Sequence, residues 1–408
     1  MLKLDWPTRS EDEKVSANVS TFASLFCGCG GLDLGFLQEG FACKAALDVD
    51  PIAVETHIKN LGSPAEVHSI GIQSAKLVGS VDVLLAGPPC QGFSLAGKRI
   101  ANDPRNSLLV LAAQIAEVTR PKVFLVENVA GAQSGSHKKH WNRLQRIMAG
   151  CGYKTVEFSM RGTECGVPQL RRRSIFLAWR TDGQWPATLD KRVGFTLRDA
   201  LSDLEGVDDH EPVMLSDSTR LGMIAKRILP GQKLCNVRGG EKSVHTWDIP
   251  EVFGSTTHPE RTLLAEILRL RRRHRRREKG DADPVSRAHL RLNGKAVSHR
   301  MISSLISKGY LRKVGAYLDL THTFNGKSRR LDIEKPSFTV DTRFGDPRYF
   351  LHPHEERGLT VREAARIQGF PDEFAFSGNA QVDFRLIGNA VPPPMARLLA
   401  ESIKRHLL

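Results

Sequence analysis

A cysteine follows a stiff loop in the segment VLLAGPPCQGFS, residues 83–94. The aliphatic run predicts a buried strand, and Pro88 and Pro89 fix the backbone just before Cys90. A thiol that is held rigidly and is partly exposed at the end of a strand can act as a nucleophile. The alternative is that Cys90 is a small buried hydrophobe, which is the usual environment of a free cysteine.

Two further segments carry groups suited to acid–base and anion chemistry. Glu127 follows four apolar residues in VFLVENV, so we expect a buried carboxyl that can donate a proton to a ring nitrogen. A capping or ion-paired glutamate is the alternative. Gln169, Arg171 and Arg173 alternate in GVPQLRRRSIFLA and would share one face of a strand. Two guanidinium groups on one face suit a phosphate and a base carbonyl oxygen, although a charged edge strand has the same pattern.

A glycine-rich turn and an acidic residue indicate a ligand that contains a nucleoside. In LFCGCGGLDLGF, Gly28, Gly30 and Gly31 lie between a predicted strand and a predicted helix. Backbone amides can approach a bound group closely at such a turn. Asp48 ends the second predicted strand and could bind ribose hydroxyls. Taken singly, a plain tight turn and a helix-capping aspartate explain these two features equally well.

Strands and helices alternate from residue 21 to about residue 180, and this pattern predicts where the groups meet. Aliphatic strands such as VDVLLAG and KVFLVENV alternate with helices such as PIAVETHIKNL, which indicates a doubly wound, parallel α/β sheet. Ligands bind outside the carboxyl ends of the strands in such sheets. The glycine turn, Asp48, Cys90 and Glu127 each follow a strand, so we expect them to gather at that edge.

The α/β alternation ends near residue 185, and we expect a second, smaller domain after it. The predicted divisions are an N-terminal tail at 1–20, the first part of the sheet domain at 21–185, the second domain at 186–380, and a return to the sheet domain at 381–408. A helix, a glycine stop and two short strands around NGKS outline a winged helix at 259–333. Its first helix ends in an arginine run that could follow phosphates, or that could be a solvated helix end.

Composition favours an anionic partner and a reduced compartment. The net charge of +14 and the pI of about 9.6 point to nucleic acid first and an anionic membrane second. Seven cysteines without paired CxxC spacing argue against a zinc site or a disulfide framework. We see no signal peptide and no apolar run near the roughly 18 residues that span a bilayer. The expectation is a cytoplasmic protein, associated with the nucleoid through DNA.

Six motifs occur in the order found in DNA (cytosine-5) methyltransferases: FxGxGG, PPCQ, ENV, QxRxR, REAARIQGFP and GNAVPPPMA. The sequence resembles that family, in its bacterial restriction–modification form, over residues 21–180 and 335–400, with the intervening region placed like its target-recognition domain. The resemblance implies a Rossmann-like fold that uses S-adenosyl-L-methionine. It also implies methyl transfer to carbon 5 of cytosine in a specific double-stranded DNA sequence, through a covalent adduct on a flipped-out base. We expect a monomer. The sequence does not choose between a solitary enzyme and one that accompanies a restriction endonuclease.

The resemblance also assigns roles to residues. Cys90 would attack carbon 6 of the base, Glu127 would contact ring nitrogen 3, and Arg173 would hold the carbonyl oxygen at position 2, with Arg171 nearby on a phosphate or in support. The cofactor pocket would comprise Phe26, Gly28, Gly30, Gly31, Leu32, Asp48, Val49, Ser69, Ile70, Pro88, Leu108, Asn389 and Val391. Ser69 departs from the family, which commonly has an acid there to meet the adenine amino group. The expected DNA contacts are Gln91, Ser94, Arg105, Gln169, Arg271, Arg272 and Arg273.

Two other functions fit part of this pattern. One branch of the family resembles the DNA enzymes but methylates transfer RNA, and its recognition region is small, unlike the long one here. A non-catalytic DNA-binding relative would be expected to lack Cys90 or Glu127, and both are present. The sequence therefore favours a DNA methyltransferase over an RNA methyltransferase or an inactive binder.

Overall fold

The computed structural model describes residues 19–89, 107–133, 138–275, 277, 280, 282–292 and 294–408. The strands are β1 Thr21–Leu25, β2 Ala42–Asp48, β3 Ala65–Val67, β4 Val83–Ala86, β5 Val123–Val129, β6 Lys154–Arg161, β7 Arg172–Trp179, β8 Lys233–Cys235, β9 Ser243–Val244, β10 Val285–Ser286, β11 Arg291–Leu292, β12 Lys295–Ala296, β13 Leu311–Val314, β14 Tyr317–Leu320, β15 Asn325–Lys327, β16 Arg329–Arg330 and β17 Phe350–Leu351. The helices are α1 Gly31–Gln38, α2 Pro51–Leu61, α3 Ala75–Val78, α4 Leu108–Thr119, α5 Lys138–Gly150, α6 Leu197–Leu201, α7 Arg220–Arg227, α8 Pro250–Phe253, α9 His258–Arg273, α10 His299–Ser307, α11 Val361–Gln368, α12 Ala380–Asn389 and α13 Pro393–His406.

The chain forms two compact units. Unit 1 comprises the described residues of Met1–His210 together with Glu334–Arg343 and Val361–Leu408, and unit 2 comprises those of Glu211–Ile333 and Phe344–Thr360. This division differs from the boundaries expected at 186 and 380. Main-chain bonding explains part of the difference, because the amide of Leu197 at the start of α6 donates to the carbonyl of Lys335 within unit 1.

Unit 1 is built on a seven-stranded sheet with the order β3-β2-β1-β4-β5-β7-β6, in which β7 runs antiparallel to its neighbours. The sheet residues alternate between two hydrophobic cores. Ala23, Leu84 and Phe124 face the core that contains α4 and α5, whereas Phe22 and Val83 face the core that contains α1 and α13. Helices therefore cover both faces, which confirms the doubly wound α/β sheet with a second, smaller domain.

The last helix packs on the first one in unit 1. A side chain at Gly35 of α1 would collide with the backbone of Arg397 in α13, so the two helices approach closely because that position lacks a Cβ atom. Met395, Leu399 and Ile403 join the same core as Phe36. The carboxyl-terminal segment thereby returns to the sheet edge where the strands end.

The described residues of unit 2 form two hydrophobic cores and several small sheets. The sheet β10-β14-β13 and helices α9 and α10 surround one core, and the sheet β15-β8-β9 adjoins the other. The predicted hairpin around NGKS is wrong. The hairpin lies earlier, where Val314 pairs with Tyr317 across Gly315, and Gly326 instead sits at a bulge where β15 pairs with β8.

Candidate active site

A cavity of about 250 Å³ opens at the carboxyl ends of β1, β2, β4 and β5 in unit 1. Strand β7 is antiparallel, so its first residues reach the same edge. Many predicted site residues line this cavity, and the described lining residues are Phe26, Cys27, Gly28, Cys29, Gly31, Leu32, Asp48, Val49, Asp50, Ala53, Gly87, Pro88, Pro89, Glu127, Val129, Arg173, Arg385, Leu386, Gly388, Asn389, Ala390 and Val391. Most of the site residues predicted from the ends of strands therefore lie around this one cavity.

The glycine turn after β1 is shaped by left-handed residues and held by Asp48. Phe26 has φ 59°, which is a strained conformation for a residue with a side chain, and Gly28 has φ 56°. The Asp48 carboxylate accepts from the amide of Gly28 at 2.9 Å and from the amide of Asp50 at 2.9 Å. One carboxylate thus connects the turn to the start of α2, and it also lines the cavity.

The glycines of this turn have different roles. A Cβ atom on Gly28 would meet nothing within 4 Å, so this backbone faces open space at the cavity. Gly30 has φ 93° and does not line the cavity, because it packs against Leu61 and His57 of α2. A Cβ atom on Gly31 would collide with the carbonyl of Val391. Gly28 therefore suits a ligand contact, whereas Gly30 and Gly31 allow close packing.

Glu127 and Arg173 form an ion pair at the base of the cavity. The register of β5 with β7 places Val129 opposite Arg173, and Arg173 Nε lies 2.6 Å from Glu127 Oε1. The two side chains are 10% and 11% exposed, for the glutamate and the arginine respectively. The carboxyl is thus both buried and ion-paired, and both side chains belong to residues that line the cavity.

The loop that precedes Cys90 is held by Asn128, which sequence reasoning did not single out. Asn128 is buried at the end of β5, and its Nδ2 donates to the carbonyl of Pro88 at 3.2 Å. Its position directly after Glu127 in ENV was the available signal. Four predicted site residues, Cys90, Gln91, Ser94 and Arg105, lie outside the described residues.

Gln169 and Arg171 form a buried clamp, which corrects their predicted contacts with DNA and phosphate. Gln169 is fully buried, and its Nε2 donates to Gln368 Oε1 at 2.7 Å while its Oε1 accepts from the amide of Val340 at 3.1 Å. Arg171 is 1% exposed and donates to the carbonyls of Val340, Gly388 and Ala390. The supporting role named as the alternative for Arg171 fits this geometry, since its partners Gly388 and Ala390 line the cavity.

Comparison with known proteins gives this geometry a family. Residues 20–405 match the sequence model of the C-5 cytosine-specific DNA methylase family. The chain belongs to this family. It is 31% identical to the Type II methyltransferase M.XorII of Xanthomonas oryzae pv. oryzae, over 94% of this chain and 84% of that protein. It is 32% identical to the Type II methyltransferase M.AgeI of Thalassovita gelatinovora, over 93% of this chain and 98% of that protein.

A solved structure agrees on the fold. The Entamoeba histolytica methyltransferase EhMeth superposes with a TM-score of 0.54 and 16% identity, over 95% of this chain and 98% of that chain. The family assignment makes the chain a DNA cytosine-5 methyltransferase. Along the described residues, no helix combines the length and apolarity needed to cross a membrane, and no cluster of three metal-ligating side chains occurs among them.

Some of the other residues predicted for the cofactor pocket of the methylase line the cavity, and others do not. Asn389 and Val391 line it, and so does Val49, whose side chain is 69% exposed. Ser69 is exposed and Ile70 and Leu108 are half-buried, and none of these three is among the described lining residues.

The arginine run at the end of α9 divides into buried and exposed members. Arg271 is buried, and its Nε donates to Asp319 at 2.7 Å, so it is not available to DNA and that prediction is wrong. No local pattern signals this pairing, because Asp319 lies 48 residues further along the chain. Arg272 and Arg273 are exposed.

The methylase has a second polar contact at the cavity rim that the motifs did not reveal. Arg385 of α12 pairs with Asp50, which also caps α2 by accepting from the amide of Ile52 at 3.1 Å.

Burial raises the pKa of the nearby Cys29 thiol to about 12 and also raises that of Cys27. These two thiols lining the cavity therefore stay protonated and are poor nucleophiles.

Proposed function

We propose that this enzyme transfers a methyl group from S-adenosyl-L-methionine to carbon 5 of cytosine in a specific double-stranded DNA sequence, through a covalent adduct with Cys90. The observation that carries the proposal is the Glu127–Arg173 pair, which lines one cavity with the glycine turn and with Pro88 and Pro89. Those two prolines directly precede Cys90. An acid, a guanidinium and a thiol are the groups that nucleophilic attack on cytosine requires.

The residues of the cavity fit the proposed cofactor. Asp48 offers carboxylate oxygens for ribose hydroxyls, and the adjacent Val49 offers an exposed apolar surface for a purine ring. Gly28 leaves its backbone open to the cavity, where any larger residue would project a side chain. When bound, S-adenosyl-L-methionine supplies an activated methyl group.

The chain's own groups account for the activation of cytosine. The Cys90 thiolate forms a bond to carbon 6, which breaks the aromaticity of the ring. Glu127 hydrogen-bonds or protonates ring nitrogen 3 and so absorbs the charge that develops there, and carbon 5 becomes nucleophilic. Arg173 orients Glu127 and donates to the carbonyl oxygen at position 2. Once carbon 5 carries the methyl group, it loses its proton to water. The Cys90 thiolate is then expelled, the proton held on ring nitrogen 3 returns to Glu127, and the ring regains its aromaticity.

A cytosine stacked inside a duplex cannot enter this cavity. The base must leave the stack, at a cost of a few kcal/mol. We assign Gln91, Ser94 and Arg105, in the segment after the nucleophile, to contacts with the opened duplex. The similarity of this chain to Type II methyltransferases supports a cognate restriction endonuclease as its functional companion. We propose that the methylase itself acts as a monomer.

Methyl transfer from labelled cofactor tests the proposal. Wild-type protein is incubated with a pool of duplex DNA and separately with transfer RNA, and the products are digested and analysed for 5-methylcytosine. We expect label in duplex DNA, and a Glu127→Gln variant about 10²-fold slower in kcat or worse. Glu157→Gln, an exposed glutamate of β6 in the same sheet, is the matched control and should keep the wild-type rate. Label in transfer RNA alone would transfer the assignment to RNA methylation.

A further inference from the structure

We propose that residues 258–320 form a winged-helix module that binds duplex DNA, with α10 in the major groove and the β13–β14 hairpin against the phosphate backbone. The proposal rests on the proposed function only in taking duplex DNA as the ligand. It assigns a DNA-binding surface of unit 2 that does not use the methyl-transfer cavity.

The topology of this segment is that of a winged helix. Helix α9 is followed by β10, then by α10, and then by the hairpin of β13 and β14. The first strand lies beside the last one in the sheet order β10-β14-β13, with Val285 opposite Leu318. A single 3-10 turn and the short β11–β12 hairpin occupy the position between β10 and α10.

The module has its own hydrophobic core. Apart from Trp247, every buried member of this core comes from 258–320. Leu263 and Ile267 of α9 pack with Ile302 and Leu305 of α10 and with Leu318 of β14. A segment with a separate core holds its surface residues in fixed positions, as a recognition surface requires.

The part of the module from β10 to β14 has a positive surface because its exposed charges are all basic. The segment from Pro284 to Leu318 contains seven Lys and Arg residues and no Asp or Glu. The acids at its two ends, Asp283 and Asp319, are buried and ion-paired with Arg275 and Arg271 respectively. The seven basic residues are all exposed: Arg287, Arg291, Lys295, Arg300, Lys308, Arg312 and Lys313. Such an unbalanced surface attracts a polyanion.

Helix α10 presents a polar face of the kind that reads base edges. Ser298 caps it by accepting from the amide of Met301 at 3.3 Å. His299, Ser303 and Ser307 recur every four residues on the exposed side, and Arg300 lies beside them. Serine, histidine and arginine side chains hydrogen-bond base edges, and serines are small enough for the helix to approach the groove closely.

Both ends of the reading surface are anchored to α9. Glu260 accepts from Lys308 Nζ at 2.7 Å and from Ser304 Oγ at 2.7 Å, which fixes the carboxyl-terminal half of α10. Asp319 accepts from Arg271 at 2.7 Å and from Arg312 at 3.0 Å, which fixes the hairpin. The helix and the hairpin therefore meet a ligand as one rigid surface.

The test measures DNA affinity of the full chain against salt. The variant is the triple substitution Arg291→Ala, Arg300→Ala and Lys313→Ala, none of which takes part in the module's anchoring ion pairs. The control is Lys59→Ala, Lys76→Ala and Lys154→Ala, which removes the same charge from exposed positions of unit 1. Fluorescence anisotropy with a labelled random duplex gives the dissociation constant at several salt concentrations between about 50 and 200 mM.

We expect the triple variant to lose about tenfold or more in affinity, and the slope of log K against log salt to shrink by about 2 to 3. The control should keep both quantities, and both proteins should bind S-adenosyl-L-methionine as wild type does in calorimetry. An unchanged salt slope in the triple variant would overturn the proposal, and so would loss of binding to vesicles of anionic phospholipid with DNA binding unaffected. Because the readout is equilibrium binding, failure of methyl transfer leaves this result independent.

Discussion

Removing the Arg171 guanidinium should weaken the fold and the cavity together. The guanidinium is 1% exposed and donates to Val340 O at 3.0 Å, to Gly388 O at 3.3 Å and to Ala390 O at 2.8 Å. Arg171→Ala removes this donor from all three carbonyls. The Ala390 carbonyl keeps its bond from Gln368 Nε2 at 2.6 Å, so the loss falls mainly on the carbonyls of Val340 and Gly388. A buried polar group that loses its partner costs about 1–3 kcal/mol. The expected loss in the free energy of unfolding is therefore about 3–5 kcal/mol, allowing for partial relaxation.

The neighbouring arginine provides the control. Arg172 is exposed and donates only one side-chain bond, to Ser159 Oγ at 3.3 Å, among the contacts that the structure describes. Arg172→Ala should change the free energy of unfolding by less than about 0.5 kcal/mol. Urea denaturation followed by circular dichroism measures both variants, and calorimetric titration with S-adenosyl-L-methionine should show weaker binding for Arg171→Ala, because Gly388 and Ala390 line the cavity. Equal stability of the two variants would refute the clamp.

Three further outcomes follow from the same contacts. Although burial opposes it, hydrogen bonds led by that from Lys308 lower the pKa of Glu260 from 4.5 to about 2. This carboxylate therefore stabilises the fold above about pH 4.5, and the contribution is lost as pH falls toward 2. The melting temperature of Glu260→Gln should fall less steeply with decreasing pH than that of wild type, and an identical pH dependence would contradict the assignment. Arg173→Ala should lower kcat by about 10²-fold or more with little effect on cofactor affinity, measured by methyl transfer and calorimetry, and a change in cofactor affinity alone would contradict its role. Gly30→Ala should lower the melting temperature, because the φ of 93° at Gly30 and its contact with α2 exclude a side chain. Gly28→Ala should chiefly weaken cofactor binding, because Gly28 faces open space at the cavity. The reverse pattern in thermal melts and calorimetry would refute these two roles.

The sequence predicted the site well wherever position along a strand decides it. Parallel strands end at one edge, so the glycine turn, Asp48 and Glu127 had to converge once the α/β alternation was recognised. Arg173 followed from its place in the QxRxR motif, and the antiparallel course of β7 delivers it to that edge.

The prediction failed where distant chain segments determine burial. Alternation put Gln169 and Arg171 on a common face, but residues between Val340 and Ala390 bury both side chains and hydrogen-bond to them. The dipeptide in NGKS is a strong turn signal, yet Gly326 forms a bulge because β15 pairs with β8, which lies about 90 residues earlier in the chain. Local pattern cannot anticipate such partners, and Arg271 was misassigned for the same reason.

Covalent trapping tests the central claim most directly. A pool of duplexes that carry 5-fluorocytosine is incubated with S-adenosyl-L-methionine and with wild type, Cys90→Ser or Cys151→Ser. Cys151→Ser is the control, because Cys151 is a free cysteine outside the described cavity-lining residues. Fluorine cannot leave carbon 5 as a proton does, so the enzyme–base bond should persist. We predict a denaturant-resistant adduct with wild type and Cys151→Ser and none with Cys90→Ser, and sequencing of the trapped DNA would give the target site. An adduct that survives in Cys90→Ser, or methylation of DNA by wild type without any trapped adduct, would contradict the account.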